Sequence, residues 1–334
     1  MKSYRLFAPA PIETQPMKMQ DLPIPQPGPG QVLVRVHACG VCRTDLHTVE
    51  GDITPPHYPV TPGHQVVGVV EEVGPASMST AVKTGQRVGI PWLHSACGAC
   101  DYCQRGEENL CSNAHFTGFS VDGGYAEYLL ADARYVLPLP DGLPDEQAAP
   151  LLCAGIVGYR ALKKAEIQPG ERVGLFGFGA SAHLCLQVLN HWGCETHAFT
   201  RSAAHQAHAR ALGAAWAGDA GSGALASLDR AVIFAPAGEL VVRALEVIRP
   251  GGTVAINAIH MSDIPSFPYK TLWGERKVVS VANATYRDGV EFLALAAAAQ
   301  IRPTVRLYPL HEAHTALSDL KHSRFDGEAV LTVT

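Results

Sequence analysis

The 334-residue sequence predicts an α/β protein in which a β-rich domain accompanies a doubly wound parallel sheet. Three observations carry this prediction. Prolines and glycines punctuate alternating apolar runs up to about residue 150, a strand–helix rhythm begins at Pro169, and Pro303–Thr334 returns to short strand-like runs. We therefore predict a discontinuous first domain, residues 1–150 and 291–334, into which a second domain of residues 151–290 is inserted.

The first region shows the period of a half-buried strand. Val32, Val34 and Val36 alternate on one face, and a second valine-rich run follows Gly63. Both runs end at glycine or proline, as strands separated by turns do.

The second region alternates strands and helices. The predicted strands are Arg172–Phe176, Glu195–Thr200, Ala215–Ala217, Ala231–Phe234, Thr253–Asn257 and Lys277–Val281. The predicted helices between them are Ala182–His191, Ala203–Leu212 and Leu240–Ile248. Six strands with crossover helices are typical of a Rossmann fold. An alanine-rich helix after about residue 290 leads back to the first domain.

Composition excludes several classes of function. Hydrophobic residues make up 47% of the chain and charged residues 17%, so the chain has enough apolar surface to fold completely. The formal net charge is −5 and no basic stripe is present, which argues against a nucleic-acid partner. No apolar stretch is long enough to span a membrane, and no secretory leader is recognisable. We expect a cytoplasmic protein without membrane partners.

Four of the nine cysteines lie close together in the pattern C-x2-C-x2-C-x7-C. The members are Cys97, Cys100, Cys103 and Cys111. Four thiolates at this spacing can close a tetrahedral shell around Zn2+, which predicts a structural zinc site. Two alternatives stay open: an iron–sulfur cluster, which also takes four thiolates, and four unrelated buried thiols. A zinc knuckle of a nucleic-acid-binding module would conflict with the acidic balance.

A glycine-rich motif links the first strand and helix of the second region. It reads Gly177-Phe178-Gly179-Ala180-Ser181-Ala182, a G-x-G-x-x-A pattern. Gly177 permits a tight turn, Gly179 lets a pyrophosphate approach the helix N-terminus, and Ala182 allows close packing of helix on strand. Placed between strand and helix, the motif predicts dinucleotide binding.

Three further segments give the whole chain a family resemblance. They are the block Cys39–His47, the block Pro62–Gln65 and the segment Leu152–Gly155. Together with the four-cysteine pattern and the glycine motif, they resemble the zinc-containing medium-chain alcohol dehydrogenase family. This resemblance implies that the first domain is a GroES-like catalytic domain.

The resemblance also implies a catalytic zinc ion held by Cys42, His64 and Cys153. Such a shell leaves a fourth position open for water or a substrate oxygen. Two thiolates and a neutral imidazole leave the ion able to polarise an alcohol and lower its pKa. With the four-cysteine site, the chain is expected to hold two zinc ions, one catalytic and one structural.

Residues next to Cys42 resemble the family's proton relay and phosphate site. Thr44 and His47 would pass the alcohol proton towards solvent, and Arg43 would bind the cofactor pyrophosphate. Asp45 resembles a carboxylate that steadies a zinc ligand, although it could instead cap the following helix.

Two positions depart from the family pattern, and two more suggest a pocket. Gln65 stands where the family usually has Glu, which removes a negative charge near the zinc. Glu328 stands where the family usually has Arg, so a phosphate-binding role is not assigned to it. Trp92 and Ile53 fall where family members line the alcohol pocket, although an aromatic side chain there is equally typical of a core.

The remaining cysteines and several histidines are assigned no chemistry. We expect Cys39, Cys185 and Cys194 to be packing residues. Four histidines of the second domain are expected on solvated helix faces: His183, His191, His205 and His208.

The second strand of the dinucleotide domain bears on cofactor choice. NAD-selective sheets end this strand with Asp or Glu, but here it ends Phe199-Thr200-Arg201-Ser202 without an acid. Arg201 could pair with a 2′-phosphate and Ser202 could donate to it, which favours NADP(H). In the alternative, Arg201 points into solvent and Ser202 caps the next helix.

The resemblance implies an enzyme that transfers a hydride between a primary or secondary alcohol, or the corresponding aldehyde, and NAD(P). A homodimer or homotetramer is expected. Two other functions remain: a quinone or enoyl reductase of the same fold, and a dinucleotide-binding protein without turnover.

Overall fold

The computed structural model describes residues 1–75, 82–221 and 227–333. The chain divides into two compact units. The first comprises Met1–Cys153, Thr285–Ala294 and Pro303–Thr334; the second comprises Ala154–Ala284 and Leu295–Arg302.

The strands follow one another along the chain with these bounds. They are β1 Lys2–Leu6, β2 Met17–Asp21, β3 Gln31–Val41, β4 Gln65–Val73, β5 Arg87–Ile90, β6 Leu93–Ser95, β7 His115–Phe116, β8 Tyr128–Asp132, β9 Leu137–Pro138, β10 Arg172–Phe176, β11 Glu195–Phe199, β12 Trp216–Gly218, β13 Leu228–Ile233, β14 Ile248–Ile256, β15 Lys277–Ser280, β16 Val305–Pro309 and β17 Glu328–Thr332.

The α-helices are shorter on average in the first unit than in the second. They are α1 Arg43–Glu50, α2 Asp101–Gln104, α3 Asp145–Ala148, α4 Ala154–Lys164, α5 Ala180–His191, α6 Ala203–Ala211, α7 Glu239–Val247, α8 Tyr269–Leu272, α9 Tyr286–Ala298 and α10 Ala313–Lys321. Four 3-10 turns accompany them: Ile12–Thr14, Glu108–Leu110, Ala149–Leu152 and Leu310–Glu312.

The sheet of the first unit is built around β3. In hydrogen-bonded order its strands run β16-β17-β3-β4-β5-β9, and β8 also pairs with β3. The predicted valine alternation is visible as burial, because Val32, Val34 and Val36 all lie in the core of this unit. The last two strands of the chain join the same sheet, since β17 pairs antiparallel with β3.

The sheet of the second unit contains only parallel pairs within the described residues, in the order β12-β11-β10-β13-β14-β15. The chain winds outward from β10 in both directions, which is the doubly wound arrangement. The predicted α/β fold class, a β-rich domain with a Rossmann domain, is therefore confirmed.

Two strands begin earlier than predicted: β13 begins at Leu228 and not at Ala231, and the larger difference is at β14. The strand predicted at Thr253–Asn257 begins at Ile248 instead. Pro250-Gly251-Gly252 reads as a turn in the sequence, yet the strand passes through it with a register shift against β13 between Leu228 and Arg230. Such an irregularity accommodates residues that a regular strand would exclude.

His183 contradicts its prediction as a solvated residue. It is 1% exposed, and its ring lies 5.8 Å from the ring of His208 on α6. Burial, and to a smaller extent the charge of His208, lower the pKa of His183 to about 4. Helix α5 is covered on more than its sheet-facing side, which the sequence period does not reveal.

The three cysteines assigned to packing are buried, as predicted: Cys39, Cys185 and Cys194. Gly158 on α4 allows the Cys185 sulfur to approach the helix, because a Cβ at residue 158 would lie 2.6 Å from it. Among the described residues, no helix is both long and apolar enough to cross a membrane.

Candidate functional site

Three distant segments of the first unit bring Cys42, His64 and Cys153 together. Cys42 lies between the end of β3 and the start of α1, and His64 directly precedes β4. Cys153 follows the 3-10 turn Ala149–Leu152. One ligand-capable atom of each residue lies within 4.8 Å of the other two. This is the size of a shell around one ion.

Asp45 is a buried carboxylate that forms hydrogen bonds with two residues of this cluster. Its side chain is 1% exposed, and Oδ1 accepts hydrogen bonds from His64 Nδ1 at 2.8 Å and from the Gly63 amide at 3.1 Å. Oδ2 accepts from the Cys42 amide at 2.9 Å, which closes the first turn of α1. The carboxylate therefore caps the helix, as one interpretation predicts, and it also holds the orientation of His64 through a hydrogen bond.

Gly63 positions His64 and cannot be replaced without strain. Its φ of +99° lies in the left-handed region, and a Cβ there would approach Tyr125 Cδ1 to 2.4 Å. The same Cβ would lie 2.9 Å from the Cys39 sulfur. The packing residue Cys39 thus helps to define the turn that carries the histidine.

The donor set fits a zinc ion. Because Nδ1 of His64 is bonded to Asp45, Nε2 is left for a metal, and this buried nitrogen makes no hydrogen bond within the described part of the chain. A buried imidazole nitrogen that has no hydrogen-bond partner and lies beside two thiols is typical of a metal ligand. Two sulfurs and one nitrogen also form a known catalytic zinc shell.

The charges and hydrogen bonds within the cluster favour a cation there. Burial lowers the pKa of His64, but the charge and hydrogen bond of Asp45, together with those of Cys42, outweigh burial and raise that pKa to about 10. The Cys153 thiol lowers the pKa of Cys42 well below its ordinary value, against the effect of burial, and His64 lowers it further. Positive charge is therefore favoured at this point, whether carried by a proton or a metal.

Thr44 and His47 share one helix of the first unit. They stand three residues apart on α1, so their side chains lie on neighbouring positions of one face. Thr44 Oγ1 is 3.9 Å from the Cys42 sulfur, and His47 Nδ1 is 2.7 Å from Asp52 Oδ2 near the surface. Arg43, also on α1, is exposed.

An aromatic cluster borders His64. The ring of Trp92 meets the His64 ring edge-on with centroids 4.9 Å apart, and it stacks on Phe116 at 5.1 Å. Ile53 is half-buried in the loop after α1. Trp92 therefore touches a candidate metal ligand, whereas no contact described for Ile53 reaches one.

Glu328 reaches the same neighbourhood from the far end of the chain. It opens β17, is 2% exposed, and neither carboxylate oxygen has a hydrogen-bond partner in residues 1–75, 82–221 and 227–333. Burial raises the pKa of Glu328 well above its ordinary value, and Cys42 raises it further. The sequence identifies Glu328 only as a departure from the family pattern. Its position near the cluster depends on the pairing of β17 with β3, and pairing between strands so far apart in the chain leaves no local sequence pattern.

The four-cysteine lobe holds its sulfurs at tetrahedral spacing. Measured distances are 3.5 Å between Cys100 and Cys103, 3.5 Å between Cys111 and Cys97, and 3.8 Å between Cys97 and Cys103. Zn–S bonds of about 2.3 Å imply sulfur–sulfur edges of about 3.8 Å in a regular tetrahedron. All four sulfurs lie within 4.8 Å of one another, which suits one ion better than thiolates spread over several irons.

The lobe has little regular structure of its own. Its α2 helix has four residues, and the strands β6 and β7 pair only at Leu93–Phe116 and Ser95–His115. The amides of Ala99 and Cys100 point at the Cys97 sulfur at 3.5 and 3.3 Å, as donors to a thiolate do. A segment this short cannot form a stable core, so a bound ion would provide much of its cohesion.

The glycine motif of the second unit lies between β10 and α5. Gly177 has φ +93°, and a Cβ there would lie 2.7 Å from the Ala235 amide nitrogen. At Gly179 a Cβ would meet no described atom within 4 Å, so space is open above the start of α5. Ala182 is fully buried against the sheet. The motif thus presents an open helix N-terminus, which fits a pyrophosphate.

Arg201 and Ser202 follow β11. Arg201 is exposed, and Ser202 caps α6 by accepting a hydrogen bond from the His205 amide at 3.3 Å. The cap uses an oxygen lone pair of Ser202 and leaves its hydroxyl hydrogen available. Both residues remain able to bind a phosphate.

Comparison with known proteins agrees with this geometry. The model of the alcohol dehydrogenase GroES-like domain matches residues 28–141. A probable alcohol dehydrogenase AdhA of Mycobacterium tuberculosis is 46% identical over 337 residues, covering 100% of this chain and 97% of the relative. An alcohol dehydrogenase of Geobacillus stearothermophilus is 37% identical, with 96% of this chain and 97% of the relative covered. A cobalt- and zinc-bound thermostable alcohol dehydrogenase from Pyrobaculum aerophilum superimposes with a TM-score of 0.88 at 25% identity, covering 99% of both chains.

Proposed function

The chain belongs to the zinc-containing medium-chain alcohol dehydrogenase family, and from this premise we propose an enzyme that moves a hydride between a small alcohol and NAD(P) at Cys42, His64 and Cys153. One observation carries the proposal: three ligand atoms from distant segments converge within 4.8 Å, with Asp45 orienting the histidine. When bound, zinc favours loss of the alcohol proton and the nicotinamide accepts the hydride.

The proton path is proposed for two residues of α1. Thr44, close to the Cys42 sulfur, accepts the alcohol proton on its hydroxyl oxygen while it gives up its own hydroxyl proton towards His47, which releases that proton to solvent. The hydrogen bond from His47 to the exposed Asp52 keeps the imidazole in one orientation at the surface. We propose a second, structural zinc ion on the four-cysteine lobe, supported by its tetrahedral sulfur spacing.

Cofactor binding is proposed for both units of the chain. In the second unit, Gly177, Gly179 and Ala182 form the pyrophosphate cradle at the start of α5. In the first unit, Arg43 is proposed separately, on the family resemblance, as a residue that binds cofactor phosphate. We further propose a preference for NADP(H), supported by the absence of an acid after β11 and by the exposed Arg201 beside Ser202.

A decisive first experiment measures zinc content and turnover together. Purified protein is tested with a panel of primary and secondary alcohols, and with aldehydes, using each cofactor in turn. We expect two zinc ions per chain and alcohol-dependent formation of reduced cofactor. Dinucleotide binding without turnover would instead point to a non-catalytic protein, and turnover of quinones or enoyl compounds without zinc would point to a reductase of the same fold.

Cofactor preference has its own test. Arg201→Ala removes the guanidinium that would pair with the 2′-phosphate, so we expect KM for NADP+ to rise about 10-fold, or about 1.4 kcal/mol. KM for NAD+ serves as the internal control and should stay unchanged. Equal KM values before and after substitution, or a tenfold preference of the native enzyme for NAD+, would refute the NADP(H) assignment.

The assembly and location of the enzyme also remain proposals. We expect a cytoplasmic homodimer or homotetramer, as the family resemblance implies. Light scattering during size-exclusion chromatography would measure the mass directly, and a monomer would contradict the expectation.

A further inference from the structure

Glu328 is a buried carboxylate that the proposed reaction leaves without a role. It is 2% exposed, and across the described ranges no protein donor reaches either of its oxygens. Burying a carboxylate without a partner is unfavourable whether the group stays charged or takes up a proton. A folded chain keeps such a group where something compensates it, and the neighbourhood identifies the compensating charge.

Sheet register places Glu328 beside the metal ligands. Strand β17 pairs antiparallel with β3, with Val330 opposite Gly40 and Ala329 opposite Val41. One step further, Glu328 stands opposite Cys42, whose backbone is still extended at φ −114° and ψ 161°. Side chains alternate between faces, so Glu328 and Cys42 share the face of Val330 and Gly40.

Gln65 lies on this same face. Strand β4 pairs with β3 so that Gln65 stands opposite Gly40. The absence of a side chain at Gly40 makes room, because a Cβ there would lie 2.7 Å from Gln65 Nε2. Three polar positions thus converge on one patch of the sheet: the thiol of Cys42, the amide of Gln65 and the carboxylate of Glu328.

The charged groups around Glu328 are those of the metal cluster. Cys42, His64 and Asp45 act on the carboxylate electrostatically, and Glu328 acts in turn on Cys153. Glu328 is not among the residues whose ligand atoms lie mutually within 4.8 Å in the described chain. Its carboxyl group therefore neighbours the shell without completing it, and a cation bound in the shell would favour the ionised form that burial alone disfavours.

We propose that Glu328 supplies to the Cys42–His64–Cys153 site the negative charge that Gln65 lacks, and so raises the affinity of this site for its divalent cation. The inference rests on the proposed function, because it takes the cluster to be the metal site. The two departures from the family pattern, at 65 and at 328, then have one explanation: the carboxylate beside these ligands stands on β17, and the amide stands on β4.

We expect Glu328 to change the affinity of this site for its divalent cation moderately, without being essential for binding. The two thiolates already balance the formal charge of a divalent ion, so a further carboxylate outside the ligand shell adds a smaller electrostatic contribution. Residues that act through metal ligands typically change metal affinity 10- to 100-fold. An effect of about 10-fold is therefore expected.

The first test follows release of zinc from the holoenzyme to a chromogenic chelator. C153A defines which phase belongs to this site, because it lacks that phase, whereas the four-cysteine lobe is unchanged. E328Q, which keeps the shape of the side chain, should release zinc in this phase about 10-fold faster. If the native enzyme and C153A release zinc identically, the proposed function fails. If they differ but E328Q matches the native enzyme, only the present inference fails.

A second test uses the sign of a change in thermal stability. In the C153A background the carboxylate lacks its cation, so C153A/E328Q should have a higher Tm than C153A. In the zinc-loaded native background, E328Q should leave Tm unchanged or lower it. Shifts of the same sign in both backgrounds would overturn the proposal, because a merely structural glutamate does not respond to the metal.

The third test places the negative charge at position 65 and removes it from position 328. In the variant Q65E/E328Q the carboxylate stands on β4 and the amide on β17, with no change in side-chain volume at either position. Zinc release should return to within about 3-fold of the native rate. Release as fast as in E328Q would overturn the equivalence of the two positions. Together the three tests separate a charge effect from a packing effect.

Discussion

The two cysteine sites of the first unit reach similar ligand spacing by opposite routes. The lobe draws all its sulfurs from residues 97–111, whereas the other site joins Cys42, His64 and Cys153 from three parts of the unit. The lobe has hardly any secondary structure, while the dispersed site is fixed by β3, β4, α1 and a buried carboxylate. We therefore expect the local site to depend on a bound ion for its structure, and the dispersed site to depend on the fold for the placement of its ligands.

The largest expected effect separates activity from folding. Cys153→Ala removes one ligand of a site that the sheet already holds together, so turnover should fall about 10³-fold or more. The variant should still fold and bind dinucleotide as the native protein does, with a fall in Tm no larger than the uncompensated Glu328 carboxylate causes. Cys185→Ala, which removes a buried thiol of the second unit, is the matched control and should retain activity. Full activity of Cys153→Ala would break the catalytic assignment.

The second-largest effect is expected on thermal stability and concerns the four-cysteine lobe. Cys100→Ser removes a ligand of the lobe, where the ion contributes folding free energy directly. We expect a fall in Tm of about 5–10 °C, which corresponds to about 3 kcal/mol in a domain of this size. Differential scanning calorimetry with parallel zinc analysis checks it. A native melting curve with two zinc ions still bound would contradict a structural role for this site.

A smaller effect is expected at the carboxylate beneath the dispersed site. Asp45→Asn keeps the side-chain volume but weakens the hydrogen bond that orients His64, so zinc affinity should fall about 10- to 100-fold. Competition with a chelator of known affinity measures the change. Asp52→Asn, on the exposed partner of His47, is the control and should leave zinc affinity unaltered.

The sequence predicts most of the second unit because its signals are local. Strand β10 matches its predicted bounds, and α6 ends one residue before its predicted end, at Ala211. The spacing of a strand, a turn and a helix can be recognised without information from elsewhere in the chain. The position of β14 is harder to predict, since the turn-like Pro250-Gly251-Gly252 lies inside a strand.

Features that depend on long-range packing escape such reasoning. The burial of His183 arises from a neighbouring helix, and the position of Glu328 arises from pairing between the start and the end of the chain. The lobe is predicted from spacing alone, whereas the ligand set of the dispersed site is predicted only through the family resemblance. No physical rule applied to the sequence joins residue 42 to residue 153.

Asp45 gives the dispersed site a consequence for its biogenesis. One carboxylate joins the first turn of α1, the Gly63 turn and the His64 ring through three hydrogen bonds that require no ion. The ring is therefore already turned with Nε2 towards the thiols when the polypeptide has folded. For the proposed zinc site we therefore expect the metal to bind after the chain has folded, because the hydrogen bonds that orient His64 do not require it.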